Sequence, residues 1–340
     1  MPHTAADVEL VQATPAQQAD RWRLHHHVWG EGFDLPLYLQ REQALAQAEH
    51  WNECLRMWLL VDQHGEVLAS CETYGAHALV ADEEGRSERL PLQTVASVLV
   101  APELRNLGHA ATMMQMLDAQ LRFEGNAAAC LYSDIGPQLY RRTGYFLHAA
   151  RESVLGVHEA ATWPTNAIEL GMGDVASVLA GEQERMAGWL STATAPSLAE
   201  LPTAARIAWF QLRSQYRAWA RGHQPAQVVG AKGPDGGFML WSADAPEPVL
   251  DSLLWRPNSG RDAQVLTHAA VAHARGQRLR QVRWWDADRD TGLDPYRHAR
   301  TQPEGAVARD RQKALPMLSW LSEERPMPLV WMAIERFGWA

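Results

Sequence analysis

Lysine is nearly missing from this chain: of its 31 basic residues only Lys232 and Lys313 are not arginine. Cysteine is scarce as well. Cys54, Cys71 and Cys130 are odd in number, far apart and without a C-x-x-C pair, which argues against a disulfide framework, a structural zinc site and redox chemistry. No apolar run approaches the ~20 residues that a membrane helix needs; residues 95–100 are interrupted by Ser97. The first residues, Met1-Pro2-His3-Thr4, have neither the basic segment nor the apolar core of a targeting peptide, so a cytoplasmic location is expected. There is no basic excess: 31 bases against 40 acids leave a net charge of −9, the wrong sign for a nucleic-acid binder. Residues 1–160 hold 21 acids against 11 arginines, while residues 161–340 hold 19 acids against 20 bases. The acidic first half either attracts a cationic small molecule or serves as a solvated surface.

With 46% hydrophobic and 21% charged residues the chain has the composition of a folded protein, and 340 residues exceed what one core usually accommodates. Two α/β domains are expected, 1–160 and 166–340, separated near Trp163-Pro164-Thr165. In the first, residues 8–13 read as a strand, and Thr14-Pro15 opens a helix that runs to about Trp29. Residues 37–51 read as a second helix, 57–62 and 67–76 as a hairpin, 92–100 as a β-branched strand and 108–123 as a helix with core spacing. A strand at 127–132, a short helix at 136–142 and a strand at 146–157 complete it. In the second, helices are expected at 174–189 and 203–221. Short strands at 228–231, 238–243 and 249–255, a helix at 262–275 and a strand at 279–285 follow. That order repeats the first half without its sequence and hints at a duplicated architecture. Fifteen tryptophans, most of them after residue 160, point to a well-filled C-terminal core or a substrate-lining wall.

The chemically informative stretch runs from Thr94 to Ala111. A strand ends, a tight loop carries Arg105, Asn106, Leu107 and Gly108, and a helix opens on His109, Ala110 and Ala111. Main-chain N–H groups at the positive end of a helix, a permanent cation and a glycine that admits close approach make a cradle suited to a pyrophosphate. Neither a G-x-G-x-x-G fingerprint nor a Walker loop is present. The stretch resembles motif A of the GNAT superfamily of acyl-CoA N-acyltransferases, [RQ]-x-x-G-x-[GA], and Tyr140-Arg141-Arg142-Thr143-Gly144-Tyr145 is similar to that superfamily's Y-x-x-x-G-[FY]. The run from Ala96 to Arg105, the segment Leu131-Tyr132-Ser133-Asp134-Ile135-Gly136 and the ending from Ala314-Leu315-Pro316 to Glu335-Arg336-Phe337-Gly338-Trp339 resemble the fungal-type lysine N6-acetyltransferases. Asn106 and His109 depart from the common pattern.

The resemblance implies a GNAT fold, a central mixed sheet flanked by helices, with a C-terminal domain that is also GNAT-like and closes over the acceptor. It implies acetyl-CoA as acyl donor, no metal, and a small primary amine as acceptor, free L-lysine first; a polyamine or aminoglycoside acceptor and a silent acyl-CoA-binding module are the alternatives. It further implies that Val98, Leu99 and Val100 offer main-chain groups to the pantetheine and thioester where their strand splays from the next, that Arg105 to Ala111 hold the pyrophosphate with Ser133 assisting, and that Tyr140 protonates the departing thiolate. The deprotonation of an alkylammonium of pKa near 10.4 needs a base. Glu72, on the strand beside Leu92–Val100, is the first candidate, or else an exposed edge residue. Asp134 is read as a cap for the short helix, and the Ala340 carboxylate as reaching the acetyl site only by analogy with tandem GNAT enzymes. His25-His26-His27 cannot converge on one ion from consecutive helical positions and is read as surface. Arg278, Arg280 and Arg283 with Trp284-Trp285 read as a half-buried strand rather than a nucleic-acid patch. No membrane or nucleic-acid partner is expected, and an oligomer stays open.

Overall fold

A computed structural model describes residues 8–48, 54–193, 195–286, 305–322 and 329–339. The chain forms a mixed α/β structure on two sheets. Its strands are β1 (Val8–Gln12), β2 (Leu55–Asp62), β3 (Val67–Ala81), β4 (Ser87–Val100), β5 (Ala128–Ser133), β6 (Phe146–Leu147), β7 (Arg151–Gly156), β8 (Ile168–Leu170), β9 (Ser197–Glu200), β10 (Gly230–Lys232), β11 (Phe238–Ser242), β12 (Val249–Arg256), β13 (Gln281–Asp286), β14 (Val307–Asp310), β15 (Leu315–Trp320) and β16 (Val330–Met332). The helices are α1 (Pro15–Trp29), α2 (Leu35–Gln47), α3 (His109–Phe123), α4 (Gln138–Arg141), α5 (Met172–Leu179), α6 (Glu182–Leu190), α7 (Ala204–Ala220) and α8 (Gly260–Gly276).

The first sheet has the order β1-β2-β3-β4-β5-β15-β6, with β9 attached to the far half of β3 and β16 to β9. The second has the order β14-β7-β13-β12-β11-β10-β8. Each main path contains one parallel pair, β4 with β5 and β12 with β13, joined by a crossover helix, α3 in one case and α8 in the other. The remaining pairs in those paths are antiparallel. The same strand–strand–strand–helix–strand order thus appears twice, as its outline in the sequence suggests.

The strands exchange partners across the chain. β15 enters the first sheet between β5 and β6 although nearly two hundred residues separate it from β5, and β7 joins the second sheet between β13 and β14. The single strand expected over 146–157 is therefore two strands in two sheets; the break comes after His148, whose N–H donates to the Pro316 carbonyl in register with the β6–β15 ladder. The single helix expected over 174–189 is also two, because Ala180 takes extended backbone with ψ 128° between α5 and α6. β3 and β4 are joined by a tight turn held by Asp82, whose Oδ1 accepts the main-chain N–H groups of Glu84 and Arg86.

One core lies between the first sheet and α3, with Met113, Met114, Leu117 and Leu121 against Leu60, Cys71, Val95, Leu131 and Met317. The opposite face of that sheet meets α7 and the second sheet through Tyr74, Ala96, Trp209, Phe210, Leu254 and Phe337. A third core, rich in tryptophan and alanine, joins α8 to the second sheet. Among the described residues no helix is long and apolar enough to cross a membrane.

Candidate active site

The site begins with an irregularity in β4. Glu72 lies opposite Ala96 and Ser70 opposite Leu99, so β4 carries one residue more than β3 over this stretch and bulges at Ser97 and Val98. Ser97 takes φ +54°, and its hydroxyl donates to Glu72 Oε2 at 2.7 Å. The Tyr74 hydroxyl donates to the same oxygen at 3.1 Å, and the Trp22 side chain of α1 adds another hydrogen bond. Glu72 is 3% exposed, so it is an interior carboxylate and not an edge residue. Burial pushes its pKa above the usual carboxylate range, and the hydrogen bonds from Ser97, Tyr74 and Trp22 oppose that rise.

β4 and β5 pair only from Leu92–Ala128 to Val95–Leu131. Beyond that last pair the two strands part, and the outward main-chain groups of residues 96–100 face the resulting wedge. Alternation then sorts the surroundings. Cys71, Val95 and Leu131 point to the α3 side, where they share a core with Tyr140. Glu72, Ala96 and, one residue past the last pair, Tyr132 point to the other side, toward α7 and the second sheet. Tyr140 is itself buried, its ring 6.1 Å from that of Tyr145, and burial raises its pKa, keeping the phenol protonated at neutral pH. A protonated hydroxyl and a buried carboxylate thus lie on opposite sides of the first sheet.

The loop after β4 has the form of an anion cradle. Gly108 has φ +91°, a conformation that costs any side chain, and the position where its Cβ would stand is open. Asn106 takes φ +65°, which asparagine tolerates better than most residues, so its departure from the family pattern has a conformational reason. The main-chain N–H groups of Asn106, Leu107 and Gly108 donate to nothing among the described residues, and α3 begins directly behind them. Arg105, Asn106, Leu107 and Gly108 are exposed, Ala110 and Ala111 half-buried. Arg105 Nε donates to the Val100 carbonyl at 3.3 Å. His109 is buried, so only its backbone faces the cradle. The residues present fit a diphosphate: unpaired amides, an adjacent guanidinium and no obstructing side chain.

Other sequence assignments land elsewhere. Ser133 is buried and its hydroxyl donates to the Gly136 carbonyl, shaping the turn before α4. Asp134 does not cap α4, whose N-cap is Pro137; its Oδ1 accepts the Ala314 N–H at 2.9 Å and ties the start of β15 to the end of β5. His25 is not on the surface: it is 2% exposed, and burial lowers its pKa to about 4. Ala340 lies outside the described residues, but the preceding tail reaches the wedge. Arg206 of α7 holds the carbonyls of Phe337 and Gly338 and approaches the Thr94 hydroxyl on β4. A Cβ on Gly338 would meet Glu200 Oε2 at 2.5 Å and the Tyr132 hydroxyl at 2.7 Å. The sequence carried no signal for Ser97 as a bulge residue, for Trp22, or for the arginines of the second half that line this face.

In the second domain the start of the crossover helix is tied to the neighbouring turn by the chain itself. Asp262, fully buried at the start of α8, accepts the main-chain N–H groups of Asp235, Gly237 and Asn258. Ser259 caps the same helix.

Residues 156–340 match the model of the LYC1 GNAT-like C-terminal domain, more than half of the chain, and residues 16–147 match the acetyltransferase (GNAT) domain. The chain belongs to the GNAT family. Its first sheet leads through the loop at Arg105–Gly108 into α3, and its second sheet repeats the strand–helix–strand order through α8. A protein described as a lysine acetyltransferase from Yarrowia lipolytica is 26% identical over 112 residues, 33% of this GNAT chain and 29% of that protein's length. Among solved structures, a GCN5-related N-acetyltransferase from Kribbella flavida has a TM-score of 0.55 at 18% identity, covering 93% of this chain and 72% of that one. A probable N-acyltransferase from Enterococcus faecalis has a TM-score of 0.56 at 12% identity, covering 92% and 73%. Both likenesses establish the two-sheet fold.

Proposed function

We propose that this GNAT chain transfers the acetyl group of acetyl-CoA to a small primary amine, with the side-chain amine of free L-lysine as the acceptor. The observation that supports the reading is that Glu72 and Tyr140 are both buried, on opposite sides of the sheet in which β4 and β5 stop pairing after Val95–Leu131. Acetyl-CoA supplies the thioester; the protein's residues supply the rest. The amides of Asn106 to Ala111 with Arg105 hold the diphosphate, and outward amides of Val98 to Val100 polarise the thioester oxygen without reorganising. Glu72, a stronger base than a solvated carboxylate because it is buried, takes the proton of the ammonium. Tyr140 gives its proton to the departing thiolate. The lysine acceptor is supported by the described activity of the Yarrowia lipolytica relative and by the acidic first half of the chain.

The test is release of free thiol from acetyl-CoA by the purified chain over a panel of amino acids, polyamines and aminoglycosides. Glu72→Gln is expected to lower kcat about 10²- to 10⁴-fold with CoA affinity retained, and Tyr140→Phe about 10²-fold. Full kcat in Tyr140→Phe removes that residue from the reaction. Turnover of aminoglycosides with lysine inert replaces the acceptor, and CoA binding with no thiol release for any amine makes the chain a binding module.

A further inference from the structure

We propose that Arg311 is the anchor for a carboxylate on the acceptor, so that the substrate class is an amine that carries a carboxylate, as a free amino acid does. The inference rests on the acetyltransferase reading and names what its acceptor face recognises. Arg311 follows β14 and is 6% exposed. Its guanidinium carbon stands 3.7 Å above the ring of Trp285, a contact that fixes the plane of the fork. Nε, Nη1 and Nη2 are all buried, and none has a hydrogen-bond partner among the described residues.

Among the described residues the neighbouring carboxylates are already engaged. Glu152 is engaged by Arg309 at 2.7 Å, and Asp251 holds Arg283 through both oxygens at 2.6 and 3.0 Å. Burial lowers the Arg311 pKa to about 10, which still leaves it charged at neutral pH. A buried guanidinium with no acceptor is costly, and a planar fork of donors is matched best by a two-oxygen anion. Its place suits the acceptor rather than the CoA diphosphate. The Trp285 ring beneath it lies 5.4 Å from that of Tyr132, and Tyr132 is the first residue of β5 beyond the last pair with β4, on the Glu72 face of the sheet. The cradle at Arg105–Ala111 belongs to the loop that leads into α3.

The test uses the full chain, its Arg311→Met variant, which removes the charge but keeps an unbranched side chain, and Arg311→Lys. Three quantities are compared: kcat/KM for L-lysine, kcat/KM for cadaverine (the same amine chain without the carboxylate), and calorimetric binding of L-norleucine, which has the carboxylate and no side-chain amine. Arg311→Met is expected to lower kcat/KM for L-lysine about 100-fold, mostly through KM, to leave cadaverine within about threefold, and to abolish L-norleucine binding. Arg311→Lys is expected to recover part of the loss, and the Kd for CoA to stay unchanged. Equal loss for lysine and cadaverine, no loss for either, or weakened CoA binding overturns the assignment. If the unaltered chain acetylates no amine, the acetyltransferase reading fails separately. L-norleucine binding that depends on Arg311 then still supports the carboxylate site, and its absence overturns it.

Discussion

At the scale of single residues, buried ionisable groups separate into those held charged and those held neutral. Asp244 accepts from Arg213 at 2.9 Å and approaches Arg336 at 3.5 Å; these arginines outweigh the burial that alone would raise it, and its pKa falls to about 2. Asp118 makes no ion pair among the described residues and feels only a weaker attraction from Arg122. It accepts from the Tyr145 hydroxyl at 2.8 Å and the Ser319 hydroxyl at 3.1 Å, and burial raises its pKa to about 6. A carboxyl whose folded pKa is raised makes the folded state bind more protons than the unfolded one, so its contribution falls as pH rises from about 4 to 6. Asp118→Asn keeps an acceptor for Tyr145 and a group to meet Ser319 without the charge. It is expected to raise Tm at pH 7.5, by about 1 kcal/mol of stability, and to leave Tm unchanged at pH 4. A lower Tm at pH 7.5 in thermal melts would refute this account.

Among elements, β15 decides what the N-terminal half can do alone. Its Leu315–Trp320 ladder covers the edge of β5, Met317 is fully buried in the α3 core, and Arg122 of α3 donates to the Leu321 carbonyl at 2.9 Å. Residues 1–160 expressed alone would leave β5 with an unpaired edge and that core open. They are expected to aggregate or to lack a cooperative melt, whereas the full chain melts as one unit. A soluble, cooperatively folding 1–160 fragment that binds CoA would show that the exchanged strand is dispensable. The helix α3, by contrast, was legible in advance, because Met113, Met114, Leu117 and Leu121 repeat at core spacing and Gly108 precedes them. β15 was not, since Leu315-Pro316-Met317 has no period that points to a partner so distant in sequence.

For the whole molecule, the two sheets share an order of elements and differ at the start of their crossover helices. In the first, the amides of Asn106, Leu107 and Gly108 have no acceptor among the described residues; in the second, Asp262 of α8 accepts three main-chain N–H groups and Arg256 is buried between Glu182 and Glu335. Three histidines, His25, His148 and His273, are held neutral in different parts of the structure, each with its pKa lowered to about 4 by burial. The unfolded chain protonates them near pH 6.5 and the folded chain does not, so stability is lost as pH falls from about 6.5 to 4. The loss is on the order of 2 kcal/mol for each histidine at pH 4 and exceeds the opposing gain from Asp118. Denaturant melts between pH 4 and 7 check this: a midpoint that does not fall with acid would contradict it.

What the sequence determined by itself was local. The strand–loop–helix junction at Leu99–Ala111, the duplicated order of elements and the tyrosine on its short helix follow from chemistry carried within a dozen residues, where propensity and spacing act directly. The candidate base was named but its burial was not, because the depth of Glu72 depends on Trp22, Tyr74 and Ser97 arriving from three elements. The exchange of β7 and β15 between sheets, the amides gathered by Asp262 and the burial of the Arg311 guanidinium over Trp285 were decided only by tertiary structure. Each depends on which groups distant parts of the chain bring together, and on which donors and acceptors are left after they have met.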